Sequence, residues 1–189
     1  MAAIREKNYR VMRVLHEFGL RVEGGRDPGD SPVSFALQYN DPKLLEEILS
    51  WKNVEIDFQA TDLQGRNLFH MIAINKDEAA FEAINNRAKS RLHRSQIQQL
   101  LNSTHDASQP YLTPLYYCQP SKELARKYIA AGAEAGSLSF LHCYFTLRPN
   151  FDYLSFLIKE VRLDIEESDV NDLTALGLVY RDGAEQKQL

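Results

Sequence analysis

Two short helical patterns follow one another in residues 111–133, and this stretch constrains the fold more than any other. Thr113-Pro114 predicts a helix start, because a threonine hydroxyl caps free N–H groups and proline at the first helical position loses no hydrogen bond. After a break at Gln119-Pro120, Ser121 predicts a second cap, and Gly132 predicts a helix end with positive φ. A helix pair this thin cannot bury its own apolar face, so we expect it to stack on further copies.

Patterns similar to Thr113-Pro114, at which a helix pair would start, recur elsewhere in the chain. They lie at Ser31, Asn67, Ser139 and Thr174, and each is followed by an apolar helical pattern. Side chains that cap helices introduce the second helix of most units, at Asp41, Asp77, Ser121 and Asn150. We predict that the helix after Asp77 runs to about Asn86. A further helix is predicted from about Asn8 to Phe18, with an apolar stripe of Val11, Val14, Leu15 and Phe18.

The interval between the starts at Asn67 and Thr113 is the longest, and the surplus falls within residues 87–109. Ser95-Gln96-Ile97-Gln98 has the pattern of a capping box, in which Ser95 and Gln98 would satisfy each other's end of the turn. We expect an extra short helix from about Ser95 to Asn102. Whether it packs on its neighbours or projects as a finger stays open in the sequence.

The stretch Thr113-Pro114-Leu115-Tyr116-Tyr117-Cys118 resembles the TPLHxA start of the ankyrin repeat, which recurs about every 33 residues. Residues 62–70 are similar to the DxxGxTPLH form of that start, with Gly65 at the tight turn, and Gly132-Ala133 to its Gly-Ala helix end. The resemblance implies an all-α ankyrin-repeat solenoid of about five helix-turn-helix units with hairpin-like loops and an extra helix inserted in the third repeat. The repeats would span about residues 1–25, 26–61, 62–107, 108–135, 136–168 and, partially, 169–189.

Composition narrows the classes of protein that fit. A net charge of −4 argues against a duplex nucleic-acid binder, which normally carries a basic surface. Cys118 and Cys143 form no CxxC pair and no disulfide framework, so a reducing cytoplasm is expected. No apolar run approaches the roughly 18 residues of a membrane span, and the polar residues 1–10 do not form a secretory signal.

Cys118 and His142 could pair as nucleophile and base in a hydrolase. The alternative is structural: Cys118 stands at the small apolar position of TPLHxA, and the resemblance implies that His70 and His142 link neighbouring loops by hydrogen bonds. His16, His93 and His105 lack metal-ligand spacing and are expected at the surface. We expect no catalytic residue, metal or cofactor.

The resemblance implies that loop tips and first helices line a concave face that binds a partner protein. The positions that match the variable positions of the family, and so the predicted contacts, are Asp30, Gln38, Tyr39, Leu63, Gln64, Arg66, Ile74, Asn75, Gln109, Leu112 and Leu138. A basic run adds Arg87, Lys89, Arg91 and Arg94, either as a solvated helix end that complements the helix dipole or as a docking site for an acidic partner.

We therefore expect a non-enzymatic protein–protein interaction module or scaffold, monomeric, with an unidentified protein partner. An alternative is the targeting domain of a larger secreted bacterial effector or multidomain enzyme whose catalytic part lies outside this chain. The irregular repeats resemble those of ankyrin-containing bacterial effectors, and the first repeat lacks its first helix. In that case the location would be the host cytoplasm or nucleus.

Overall fold

The computed structural model describes residues 31–51, 54–106, 112–134 and 150–161, together with single positions 10, 11, 14, 17, 166, 168, 174 and 177. These residues form an all-α structure, as predicted, and contain no β-strand. Their helices are α1 Pro32–Gln38, α2 Pro42–Ser50, α3 Leu68–Asn75, α4 Glu78–Arg91, α5 Arg94–Asn102, α6 Pro114–Tyr117, α7 Lys122–Ala131 and α8 Phe151–Lys159.

Side-chain caps start six of these helices and confirm the predicted positions. In each case a side-chain oxygen accepts a hydrogen bond from a backbone N–H in the first turn, which has no partner within the helix. The caps and their donors are Ser31 from Ser34, Asp41 from Leu44, Asn67 from His70, Asp77 from Ala80, Ser121 from Leu124 and Asn150 from Tyr153. Polar residues immediately before an apolar pattern therefore set the helix boundaries.

The helices lie in two layers. α1, α3 and α6 contact one another in sequence order, and α2, α4 and α7 do the same in the second layer. Each first-layer helix also packs on the helix that follows its turn: α1 on α2, α3 on α4 and α6 on α7. The chain thus forms successive helix pairs, and each pair buries its apolar face against the next.

The core runs between the two layers. Leu44, Ile72, Ile84 and Leu124, which come from four different helices, are all completely buried. The buried hydroxyl of Tyr128 donates a 2.6 Å hydrogen bond to the Phe69 carbonyl, so this phenol satisfies its polar atom inside the core. That bond joins α7 to α3, two helices of successive pairs.

The extra helix α5 packs against the layers and does not project. It contacts α4, α6 and α7, and Ile97, Leu100 and Leu101 on its apolar face are buried. The Asn67 carboxamide donates to the Leu100 carbonyl at 2.9 Å, at the end of α5. The same carboxamide nitrogen donates to Ser103 Oγ at 2.8 Å. A threonine hydroxyl has a single proton and could not make both bonds while it caps α3, so the asparagine that departs from the TPLHxA pattern anchors the insertion.

The predicted extra helix is confirmed at Arg94–Asn102, but the predicted end of α4 and the predicted capping box of α5 were wrong. α4 continues to Arg91 and does not end near Asn86, because Ala88 is fully buried and extends the apolar face by one turn. α5 begins at Arg94 after His93, where the Gln96 carboxamide accepts from the His93 N–H at 2.9 Å. The predicted box of Ser95 and Gln98 therefore lies two residues too late.

The predicted hydroxyl cap of α6 is also absent. Thr113 takes the extended cap conformation and Pro114 stands at the first helical position, but the Thr113 hydroxyl accepts no backbone hydrogen bond. Its oxygen is buried without a partner among the described atoms. The Tyr116 N–H that it would have accepted from donates instead to the Thr113 carbonyl at 3.1 Å, because α6 is a single tight turn.

Few residues near the chain ends are described. Val11 and Val14 are helical and 42% and 43% exposed, whereas Leu15 and Phe18 of the predicted stripe lie outside the described residues. An antiparallel bridge joins Ser168 to Thr174, with the same spacing as the bridge from Thr61 to Asn67. The residues at both predicted starts, Asn67 and Thr174, therefore form a bridge with the residue six positions earlier.

Candidate protein-interaction surface

The loop from Thr61 to Asn67 is a tightly constrained turn, which we call the tip. One oxygen of the Asp62 carboxylate accepts hydrogen bonds from the N–H groups of Gln64 and Arg66, each at 2.9 Å. The other oxygen accepts from Arg66 Nε at 2.7 Å. Gly65 adopts a φ of +77°, which confirms the predicted positive-φ turn. Charge-assisted bonds and the glycine together hold the tip in one conformation.

At the end of the tip, Leu63 is 86% exposed and Gln64 is also exposed. A large apolar side chain on an immobilised turn loses little conformational freedom when a partner covers it. Arg66, the third predicted contact in this loop, is half-buried and committed to Asp62. The tip therefore presents Leu63 and Gln64, while Arg66 holds the turn.

His70 connects the base of the tip to the next helix pair. The Asn67 N–H donates to Nδ1 at 3.3 Å, which leaves the proton on Nε2, and Nε2–H donates to the Leu112 carbonyl at 3.1 Å. Burial lowers the pKa of His70 to about 4, so the ring is neutral at pH 7. The predicted loop-linking role of His70 is confirmed, whereas His142 lies outside the described residues.

His105, predicted at the surface, is half-buried beside His70. Its Nε2 lies 2.7 Å from the Tyr117 hydroxyl, and the two imidazole rings are 5.4 Å apart in an edge-to-face arrangement. The prediction failed because the packing of α5 brings this loop back against the tip, which no local pattern around His105 indicates. His93 is exposed, as predicted, and His16 lies outside the described residues.

The other predicted contacts do not form one patch with the tip. Gln38 and Tyr39 are exposed where α1 ends, and the Tyr39 ring packs on Phe35 with centroids 4.3 Å apart. Ile74 and Asn75 are half-buried at the far end of α3 from the tip. Since α3 has eight residues, the two ends are about 12 Å apart at a rise of about 1.5 Å per residue.

Three further predicted contacts cannot be placed, and one is corrected. Asp30, Gln109 and Leu138 lie outside the described residues. Leu112 was predicted as an exposed contact, but its side chain is only 9% exposed. The hydrogen bond from His70 to the Leu112 carbonyl draws this residue against the preceding pair, and so its side chain points into the packed interior.

The basic run divides into one structural residue and three exposed ones. Arg87 donates to the Leu49 carbonyl in the last turn of α2, where carbonyls lack helical partners and a cation complements the helix dipole. Lys89, Arg91 and Arg94 are exposed, and none forms an ion pair with a carboxylate in the described ranges. These three keep their charges available to a partner.

Cys118 lies in the core, as its place in the motif predicted. It is completely buried, and its thiol donates to the Pro114 carbonyl at 3.6 Å. Burial raises the pKa of the thiol well above its usual range, which disfavours the thiolate that nucleophilic catalysis requires. Cys143 and His142, the predicted base, lie outside the described residues.

The described residues hold no cluster of three or more His, Cys, Asp or Glu side chains suited to a metal ion. None of their helices combines the length and apolar character needed to cross a membrane. Comparisons of the chain with protein-family models, curated proteins and solved structures found no match.

Proposed function

We propose that this chain is a non-enzymatic protein–protein interaction module that binds a partner protein through the tip. The observation that carries the proposal is Leu63, a leucine 86% exposed on a turn held by the Asp62–Arg66 ion pair. An apolar side chain at such a position has no packing role of its own. Rigid presentation keeps the ordering cost of association low, which favours a recognition role.

We further propose that the helix pairs are divergent ankyrin repeats. Two successive pairs repeat the same local geometry: Asn40 and Lys76 both take positive φ at the end of the first helix, and Asp41 and Asp77 then cap the second. The bond from His70 to the next pair and the equally spaced bridges at Asn67 and Thr174 support the same interpretation. In such a solenoid the tips and first helices form one binding side.

The exposed end of α1 supplies a second part of the proposed surface. Tyr39 is 59% exposed, and tyrosine gives a large contact area with few rotatable bonds. The buried free thiol of Cys118 is compatible with a reducing cytoplasm as the place where the module and its partner meet.

Site-specific crosslinking tests the proposed tip surface. A photoreactive benzoylphenylalanine would replace Leu63, and in separate variants Tyr39 or Lys43, an exposed residue of α2. After irradiation in cell lysate, we expect a discrete adduct from position 63, a weaker adduct from position 39 and none from position 43. Addition of Gln64→Ala should reduce the adduct at position 63.

The same variants also define the results that would contradict the proposed tip surface. Equal adducts from all three positions would indicate non-specific contact, and an adduct from position 43 alone would move the interface to the second helical layer. Circular dichroism spectra that match the native chain would exclude misfolding as the cause of either result.

A further inference from the structure

A groove lies between the chain segment after α2 and the last turns of α4. Its lining consists of Val54, Ile56, Phe58, Arg87, Ser90 and Arg91, and it encloses about 240 Å³. The groove exists because α4 is five residues longer than α2 and therefore overhangs the segment that leaves α2. It is separate from the tip and from the exposed end of α1.

One wall of the groove is apolar and extended. Val54, Ile56 and Phe58 alternate along this wall, while Glu55 and Asp57 between them are exposed and do not line it. Such alternation is the side-chain period of an extended strand. The N–H and C=O of Ile56 point to the same edge of this segment and form no hydrogen bond with any other described residue. A second extended chain would pair with these two groups.

The opposite wall is basic. Arg87, Ser90 and Arg91 share one face of α4, since residues three and four apart are neighbours on a helix. Arg87 is partly committed to the Leu49 carbonyl, whereas Arg91 has no carboxylate partner within the described ranges. Lys89 is two residues from both arginines, so it lies on the other side of α4 and does not line the groove. The cations of α7 differ, because Arg126 and Lys127 are paired with glutamates.

We propose that this groove binds an extended acidic peptide segment of a partner protein. Main-chain groups of the peptide would pair with Ile56, one apolar side chain would enter the groove, and the carboxylates of the peptide would meet Arg91 and Arg87. A volume of about 240 Å³ is below the roughly 300–1,000 Å³ of small-molecule sites, which favours a single side chain as the occupant.

This inference rests on the proposed role as an interaction module but uses a surface other than the tip. The probe is a short fluorescein-labelled peptide that alternates glutamate and leucine, titrated against the full chain by fluorescence anisotropy. We expect Arg91→Glu and Ser90→Glu each to weaken binding about tenfold or more, and higher salt to weaken binding by the native chain. Lys43→Glu, a reversal of another exposed cation, is the matched control and should bind normally.

Four results would overturn the inference: no binding by the native chain, equal binding by the Arg91→Glu variant, an equal loss in the Lys43→Glu control, or tighter binding of single-stranded RNA than of the peptide. A peptide with lysine in place of glutamate should not bind. Leu63→Ser should leave peptide binding unchanged, so failure of the groove and failure of the tip are distinguishable. The methyl NMR resonances of Ile56 should change chemical shift when the peptide is added, which would place the peptide in the groove.

Discussion

At the scale of single residues, some side-chain oxygens in the described part of the chain accept a hydrogen bond, whereas others are buried without a hydrogen-bond partner. Ser121 accepts from the Leu124 N–H at 3.2 Å, whereas the Thr113 hydroxyl and the Asn85 carbonyl oxygen are buried without partners among the described atoms. A buried oxygen without a hydrogen bond costs free energy that an apolar group of the same shape would not. Two residues at equivalent helix starts therefore contribute to stability with opposite sign.

The pair Thr113 and Ser121 gives a direct test of this difference. Thr113→Val keeps the shape but removes the unpaired hydroxyl, so we expect the free energy of unfolding to be unchanged or to rise by up to about 1 kcal/mol. Ser121→Ala removes a working cap and should lower it by about 1 kcal/mol. Urea unfolding followed by circular dichroism measures both. A loss in the Thr113→Val variant would mean that its hydroxyl is a cap after all.

The buried His70 makes stability depend on pH. Its pKa is lowered to about 4 in the folded chain by burial, against 6.5 for the exposed side chain. The unfolded state therefore binds the proton more readily than the folded state. The contribution of neutral His70 to the free energy of unfolding is fully present above pH 6.5 and is lost as the pH falls towards 4. The full difference corresponds to about 3 kcal/mol.

Urea unfolding between pH 7.5 and 4.5 measures this effect. His70→Gln is less stable at neutral pH but should lose less stability on acidification than the native chain. His93→Gln changes an exposed histidine and should keep the native pH dependence. Identical pH profiles for the native chain and the His70→Gln variant would contradict the burial of this ring as a neutral group.

At the scale of helices and turns, local chemistry accounts for most of what could be predicted. A cap depends on three or four consecutive residues, which is why the starts at Ser31, Asp41 and Asn150 are readable in the sequence. The burial of Leu112 depends on its bond from His70, and the position of His105 depends on where α5 packs; both contacts join residues far apart in the chain. Periodicity and spacing carry no information about such contacts.

The positive-φ turn at Gly65 in the tip allows a prediction about stability. Gly65 has a φ of +77°, and a Cβ added there would lie 3.0 Å from the His105 backbone carbonyl oxygen. Gly65→Val should therefore lower the free energy of unfolding by about 2 kcal/mol through backbone strain and close contact. Gln64→Ala changes the exposed neighbour and should alter it by less than about 0.5 kcal/mol. Thermal unfolding of both variants compares them, and an unchanged melting temperature for Gly65→Val would refute the turn geometry.

At the scale of the whole molecule, side chains from the pair α3–α4 satisfy helix ends in the neighbouring pairs. Asn75 donates to the Leu37 carbonyl of α1, Lys76 to the Tyr117 carbonyl of α6, and Arg87 to the Leu49 carbonyl of α2. Backbone carbonyls at helix ends lack intrahelical partners, so these bonds stabilise each pair only when the next is present. The two-layer core and these bonds together couple the pairs.

A substitution of Arg87 tests this coupling. Lys89 is the matched control, because it carries the same charge on the same helix but forms no hydrogen bond to another pair among the described residues. Arg87→Met should lower the free energy of unfolding by about 1–2 kcal/mol, since a charged hydrogen bond to the end of α2 is lost. Lys89→Met should change it by less than about 0.5 kcal/mol. Amide hydrogen exchange should show faster exchange in α2 for the first variant alone. Equal effects of the two substitutions would assign the contribution to charge and not to the bond.

The bonds from Asn75, Lys76 and Arg87 also limit how freely the helix pairs can be rearranged. A pair that caps its neighbours on both sides is not an interchangeable module: transplanted into another array, it would bring three donors without matching carbonyls. Deletion of α3–α4 would leave the last turns of α1, α2 and α6 without those partners. Changes in the number of pairs are therefore best tolerated away from this central pair.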